Sequence, residues 1–145
     1  MASSRPVFNQ VNLVVRDMRA TVDFYERLGV VVQPTAPEWE RHHRNVESDE
    51  GLHFDLDSSV FAQQWDEGWP SDQTGAVLGF RFESADAVDE TYASLTAAGH
   101  AGQQPPHDAF FGARYAVVTD PDGNAVGLMG PRDRSRSTTP TPPPG

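Results

Sequence analysis

The sequence predicts an α+β domain made of two βαβββ modules, and three observations predict it. A strand pattern, a capped helix ended by glycine, and a hairpin with a glycine in its turn occur in that order twice. Matching residues keep nearly constant separations: Val22-Asp23 matches Val88-Asp89 at an offset of 66, Gly29 matches Gly99 at 70, and Gly51 matches Gly123 at 72. The chain has 145 residues, which suits one domain with a real core better than two.

Along residues 8–15, Val11, Leu13 and Val15 alternate with Gln10, Asn12 and Val14, the period of a strand. Asp17 can cap a helix by accepting from a free first-turn amide. Met18, Val22, Tyr25 and Leu28 follow at helical spacing, and Gly29 suits the left-handed position after the last turn. Residues 30–32 read as a short β-branched strand. Residues 41–47 and 52–57 read as a hairpin across Ser48-Asp49-Glu50-Gly51. In the second module, 77–82 is a strand, Ser84 caps a helix over 87–98 that ends at Gly99, and 114–119 and 124–129 pair across Asp120-Pro121-Asp122-Gly123.

Between the modules lies an aromatic connector, 58–75, whose Phe61, Trp65 and Trp69 fall on one face of a short helix. Tyr25, Phe24, Phe80 and Phe82 sit on helix and strand patterns and read as core. The organisation is therefore an extension over 1–7, one domain over 8–131 with modules at about 8–57 and 76–131, and a tail over 132–145. Residues 131–145 hold five of the twelve prolines, so a disordered tail is expected.

Composition excludes several functions. There is no cysteine, hence no disulfide, thiolate metal site or cysteine nucleophile. No apolar run is long enough for a membrane span, and none near the start resembles a signal peptide; a cytoplasmic address, which the lack of cysteine fits, is expected. The net charge is −10, and all 11 basic residues are arginine. Residues 131–145 carry three arginines and one aspartate, which leaves −12 on the rest. That field disfavours nucleic acid and anionic membrane; it keeps the protein soluble and favours cationic partners if a cleft focuses it. No phosphate-binding glycine loop or G-x-S-x-G elbow is present.

The segments VNLVVRDMRATVDFYERLG and GARYAVVTDPDGNAVGL, in this order and spacing, resemble the two modules of vicinal-oxygen-chelate proteins. These are the superfamily of glyoxalase I, extradiol dioxygenases and bleomycin-resistance proteins. The resemblance covers about 8–131. It implies sheets that curl around a cleft, often completed by a second subunit, so a homodimer is expected. It also implies where a divalent metal would be held: at Gln10, at or near Asp55, at Val77 and at Gly127. Valine and glycine offer no donor, and residues 75–80 contain no His, Asp or Glu. Metal-independent function without a cofactor is therefore expected. His42 and His43, adjacent on a strand, point to opposite faces and cannot easily share a metal. His53 and Asp55 share a face, as a ligand pair or as polar strand partners. His100 and His107 lie near loops and read as solvated.

The second half most resembles the antibiotic-binding, mitomycin-resistance-like branch, through FDLDSSVFAQQWDEGW and the P-x-D-A-x-x-G-x-R-Y pattern of residues 106–115. That branch sequesters a drug without changing it. Aromatics on loops fit such a role by stacking on a planar ligand. The candidate ligand-binding residues are Trp39, Trp65, Trp69, Phe110 and Phe111, with Gln10 and Asp55 as polar contacts. The tryptophans equally suit a dimer interface or a small satellite core. The expected function is binding of a small planar organic ligand, neutral or cationic. Its rivals are an enzyme of the same fold with a rebuilt or absent metal site, and a regulatory subunit.

Overall fold

The computed structural model describes residues 5–48 and 51–144. The first module comprises β1 (Val7–Val15), α1 (Met18–Leu28), β2 (His43–Val46) and β3 (His53–Ser58). After α2 (Ser59–Trp65), the second comprises β4 (Gly75–Arg81), α3 (Ala85–Ala97), β5 (Gly102–Asp108), β6 (Arg114–Thr119) and β7 (Ala125–Met129). The seven strands form one curled sheet in the order β2-β3-β1-β4-β7-β6-β5. The modules join through antiparallel β1 and β4, while β1–β3 and β4–β7 are parallel. No described helix is long and apolar enough to cross a membrane.

The helix caps form as their residues dictate. The Asp17 carboxylate accepts from the Ala20 amide and the Ser84 hydroxyl from the Ala87 amide, each at 3.0 Å. Gly29 and Gly99 follow their helices with φ of +112° and +99°. Asp49 and Glu50, in the expected first turn, lie outside the described residues.

Strand alternation divides the sheet into two faces. Leu13, Val15, Phe54 and Leu56 pack with Met18 and Val22 of α1. Ala116, Val118, Val126 and Leu128 pack with Val88, Tyr92 and Leu95 of α3. On the opposite, concave face Val14, Val77, Val117 and Ala125 meet Phe61, Ala62 and Trp65 of α2.

Four local expectations change. First, residues 30–32 make only one bridge, Val32 to Val46, instead of a strand. Second, β5 was not expected, because Pro105 and Pro106 interrupt its pattern. It is an edge strand with register shifts, where missing amide donors are tolerated. Third, α2 stops at Trp65. The Asp66 carboxylate, fully buried, accepts from the Gly68 amide and from Gln103 Nε2, which turns the chain. Trp69 therefore leaves the helix and sits in the core, 3 % exposed, its indole donating to the Gln73 carbonyl. Both tryptophans of the connector are covered within one chain. Fourth, Phe24, read as core, is 61 % exposed on α1.

The tail also differs from expectation. It packs against the 109–113 loop and continues past it. The Asp133 amide donates to the Gly112 carbonyl, Thr138 to the Phe110 carbonyl, and Arg132 Nε to the Phe111 carbonyl. Gln64 of α2 donates to the Thr141 carbonyl, and Arg136 pairs with Asp108 at 3.7 Å. Composition predicts disorder from apolar content, whereas this segment is held through backbone groups. Gly112 makes the contact possible: φ is +83°, and a Cβ there would collide with the Asp133 carbonyl oxygen. Gly112→Ala is expected to release the tail and speed tryptic cleavage after Arg134 and Arg136. A mass-spectrometric time course checks this, and unchanged cleavage rates would refute the docking.

Candidate functional site

The concave face is filled at one end by α2. At the other lies a cleft of about 690 Å³, within the size range of small-molecule sites. Its floor comes from alternate residues of adjacent strands: Gln10 and Asn12 of β1, His53, Asp55 and Asp57 of β3, and His43 and Asn45 of β2. Trp39, Phe61, Trp65, Phe110, Phe111 and Tyr115 line its walls, with Ser137, Thr138, Thr139 and Pro140 of the tail.

The floor is one connected network. Asp55 accepts from Gln10 Nε2 at 2.8 Å through one oxygen and from Asn45 Nδ2 at 2.6 Å through the other. Asp57, fully buried, accepts from Asn12 Nδ2 at 2.9 Å and contacts His43 Nδ1 at 2.5 Å. Asn45 Nδ2 also lies 3.3 Å from His43 Nε2. A carboxylate only accepts, so the Asn45 nitrogen must face Asp55 and must offer its second hydrogen to His43 Nε2. Neutral His43 then carries its proton on Nδ1 and donates it to Asp57. Burial opposes charge on His43, yet the hydrogen bond and charge of Asp57, with Asp55 behind, hold its pKa above the ordinary imidazole value. Burial raises the Asp57 carboxyl, against the pull of His43 and Asn12. Tyr115 is buried beside Asp66 and Asp57, which keeps its phenol protonated.

The walls are built from edge-on ring contacts. Trp39 meets Phe61 at 5.1 Å, Phe110 meets Phe111 at 5.4 Å and Phe111 meets Tyr115 at 5.3 Å between centroids. Edge-to-face geometry of this kind holds rings at fixed angles and leaves other faces free.

Six of the seven residues expected from sequence meet in this cleft: Gln10, Trp39, Asp55, Trp65, Phe110 and Phe111. Trp69 does not line it. Sequence reasoning missed Asn12, His43, Asn45, Asp57 and Tyr115. The signal was available in the hairpin register, since His43 faces Asp57 and Asn45 faces Asp55 directly across β2 and β3. His42 points to the other face, as adjacency requires, and bonds Ser58. His107, expected in solvent, lies on β5 with Nε2 buried and unpartnered. Arg114 pairs with Asp89 at 2.8 Å and with Asp108 at 3.4 Å, a structural role.

The four positions at which the resemblance would place metal ligands do not fit a divalent cation. Each Asp55 oxygen already accepts from an amide, and of the four positions only Gln10 and Asp55 keep a lone pair for a cation. Val77 is 1 % exposed in the aromatic core. At Gly127 a Cβ would stand 2.6 Å from the Tyr115 hydroxyl, so the tyrosine occupies the room a longer side chain would need. Among the described residues no three His, Asp or Glu side chains gather as a metal site requires.

Comparison with known proteins supports the fold. Residues 7–128 match the Glyoxalase/Bleomycin resistance protein/Dioxygenase superfamily. A solved structure from Legionella pneumophila, described as an NAD-dependent benzaldehyde dehydrogenase, aligns with TM-score 0.60 at 21 % identity, covering 84 % of this chain and 97 % of that one. A superfamily member from Vibrio splendidus aligns with TM-score 0.56 at 15 % identity, over 88 % and 98 % of the two chains. Methylmalonyl-CoA epimerase from Mycobacterium tuberculosis aligns with TM-score 0.56 at 15 % identity, over 93 % and 95 %. Comparison with curated protein sequences gave no match. With the sheet order, the two modules and the family match in agreement, the chain belongs to the glyoxalase/bleomycin resistance protein/dioxygenase superfamily.

Proposed function

We propose that this protein binds a planar small organic molecule without a metal, as the antibiotic-binding branch of its superfamily does. One observation carries the reading. Aromatic side chains from separate segments, Trp39, Phe61 and Trp65 of α2, the Phe110–Phe111 loop and Tyr115 of β6, line one cleft over a polar floor. Stacking supplies the affinity, because each ring adds on the order of 1 kcal/mol beyond buried area. The acidic charge of the chain speeds encounter with a cationic ligand.

A second reading rests on His43. An imidazole at a cleft, oriented by a buried carboxylate, is the arrangement of a general base, once its other nitrogen exchanges the Asn45 hydrogen for a substrate proton. Metal-free proton transfer is the enzyme this site would support. The floor around His43 disfavours it, because Asp55 and Asp57 would oppose the anion that proton removal creates.

Two outcomes are expected. In calorimetric titration against a ligand found by thermal-shift screening, Phe111→Ala weakens binding by roughly 1–3 kcal/mol. Unchanged affinity in a folded variant would remove the aromatic wall from the site. The second outcome follows from His43, whose folded pKa is raised. Its stabilising contribution is complete below about pH 6.5, the unfolded value, and is lost as pH rises through the folded value. Urea midpoints should fall across that window for the wild type and stay flatter for His43→Gln. Parallel profiles would show that the pair does not titrate with folding.

A further inference from the structure

The floor of the cleft has a polarity that stacking does not explain. Gln10, Asn12 and Asn45 each turn their amide nitrogen to a carboxylate: Gln10 and Asn45 to Asp55, Asn12 to Asp57. The orientation is forced, since a carboxylate oxygen cannot donate and the carbonyl end of an amide would repel it. Each amide therefore keeps its carbonyl oxygen for something else. Among the described hydrogen bonds none reaches Gln10 Oε1, Asn12 Oδ1 or Asn45 Oδ1, and all three residues line the cleft. Asn9, also lining it and 5 % exposed, has a buried Oδ1 without a partner. The second lone pairs of Asp55 add further acceptors. Donors also line the cleft: the exposed His53 on the floor beside Gln10, Tyr115 and the indoles of Trp39 and Trp65 on the walls, the hydroxyls of the tail, and the exposed Arg81 and Arg132.

We infer that the floor is an acceptor array selecting a ligand whose head group is a cationic cluster of N–H donors, an amidinium, guanidinium or ammonium, attached to the planar body that the aromatic walls hold. This rests on the proposed binding function and specifies its ligand. Two carboxylates set the array without being its main contacts. They pin the amides, so that three neutral carbonyls face the head group in a fixed order, and their charge acts through that layer. A carboxylate or phosphate head group would meet two carboxylates and a majority of acceptors on the floor, with His53 as a donor among them, and would bind more weakly. Room for the array is built into the opposite strand: a Cβ on Gly79 would come within 2.7 Å of Gln10 Cβ, so glycine there lets Gln10 lie across β4.

The test uses three probes with the same ring system: 2-naphthamidine, 2-naphthoate and 2-naphthonitrile. They are titrated into the full chain at about pH 8.5, well above the ordinary imidazole range. The amidine should bind at least roughly tenfold tighter than both others, the size of one charge-assisted hydrogen bond or more. In Asp55→Asn the new amide can donate, Gln10 and Asn45 are released from their fixed orientation, and the amidine preference should collapse while the nitrile is unaffected. Gln10→Met, which keeps the stem and removes one carbonyl, should weaken the amidine severalfold and leave the nitrile unchanged; it serves if the Asp55→Asn variant fails to fold. Naphthoate binding as tightly as the amidine, or a preference that survives both substitutions, overturns the acceptor array. If all three probes bind equally and Phe111→Ala weakens them all, the aromatic cleft stands and the head-group proposal falls. If none binds, both fall.

Discussion

The structure depends on one constraint: neighbouring residues of a strand must face opposite sides of the sheet. In β1 this sends Leu13 and Val15 towards α1 and sends Gln10, Asn12 and Val14 to the concave face. In β3 it sends Phe54 and Leu56 one way and His53, Asp55 and Asp57 the other. A shift of either strand by one residue would bury its polar set under a helix and expose the apolar one. The packing of α1 thus fixes the register of the polar floor, although it touches none of it. Core and site are read out by the same alternation.

The floor carries a cost that its hydrogen bonds offset. Asp57 is fully buried, and an isolated buried carboxylate is expensive. His43 and Asn12 supply its two partners, and removing one would leave the charge poorly matched, a loss of about 3–5 kcal/mol for a broken buried pair. Asp66 solves the same problem differently, with Gln103 and the Gly68 amide, and uses its carboxylate to turn the connector. The two buried aspartates therefore have different consequences. One orients an imidazole at the cleft, and the other moves Trp69 away from it.

Much of the fold was legible because its signals are local. Caps, glycine ends, turn residues and a repeat with near-constant offset each depend on residues close in sequence. Of the wall aromatics, Trp39, Trp65, Phe110 and Phe111 were legible as large apolar groups on connecting segments, whereas Tyr115 was hidden in a strand. What escaped depends on pairing. His43 looked like half of an unusable histidine pair until β2 set it opposite Asp57, fourteen residues away. β5 was hidden by two prolines that only an edge position permits. Trp69 kept its helical spacing in the sequence, but a buried side-chain bond from another strand ended the helix first. The tail was read by composition, which measures apolar burial and is blind to hydrogen bonds donated to the carbonyls of the 110–112 loop.

The positions that would hold a metal in the fold have been refilled as a coupled set. Tyr115 stands where Gly127 leaves space, and its ring is packed edge-on against Phe111 and Trp65. Gln10 lies over Gly79 and holds Asp55, which Asn45 also holds. Val77 belongs to the aromatic cluster that α2 seals. A donor introduced at 127 would collide with Tyr115, and one at 77 would put a polar group among rings with no partner. Freeing Asp55 would leave two amides to find new bonds. Because these groups touch one another, the effects of changing them are not additive, and no single substitution moves the cleft towards metal chemistry. The same interlocking leaves the cleft with rings, carbonyls and carboxylates. On the proposed reading, those groups would together hold a positively charged aromatic guest.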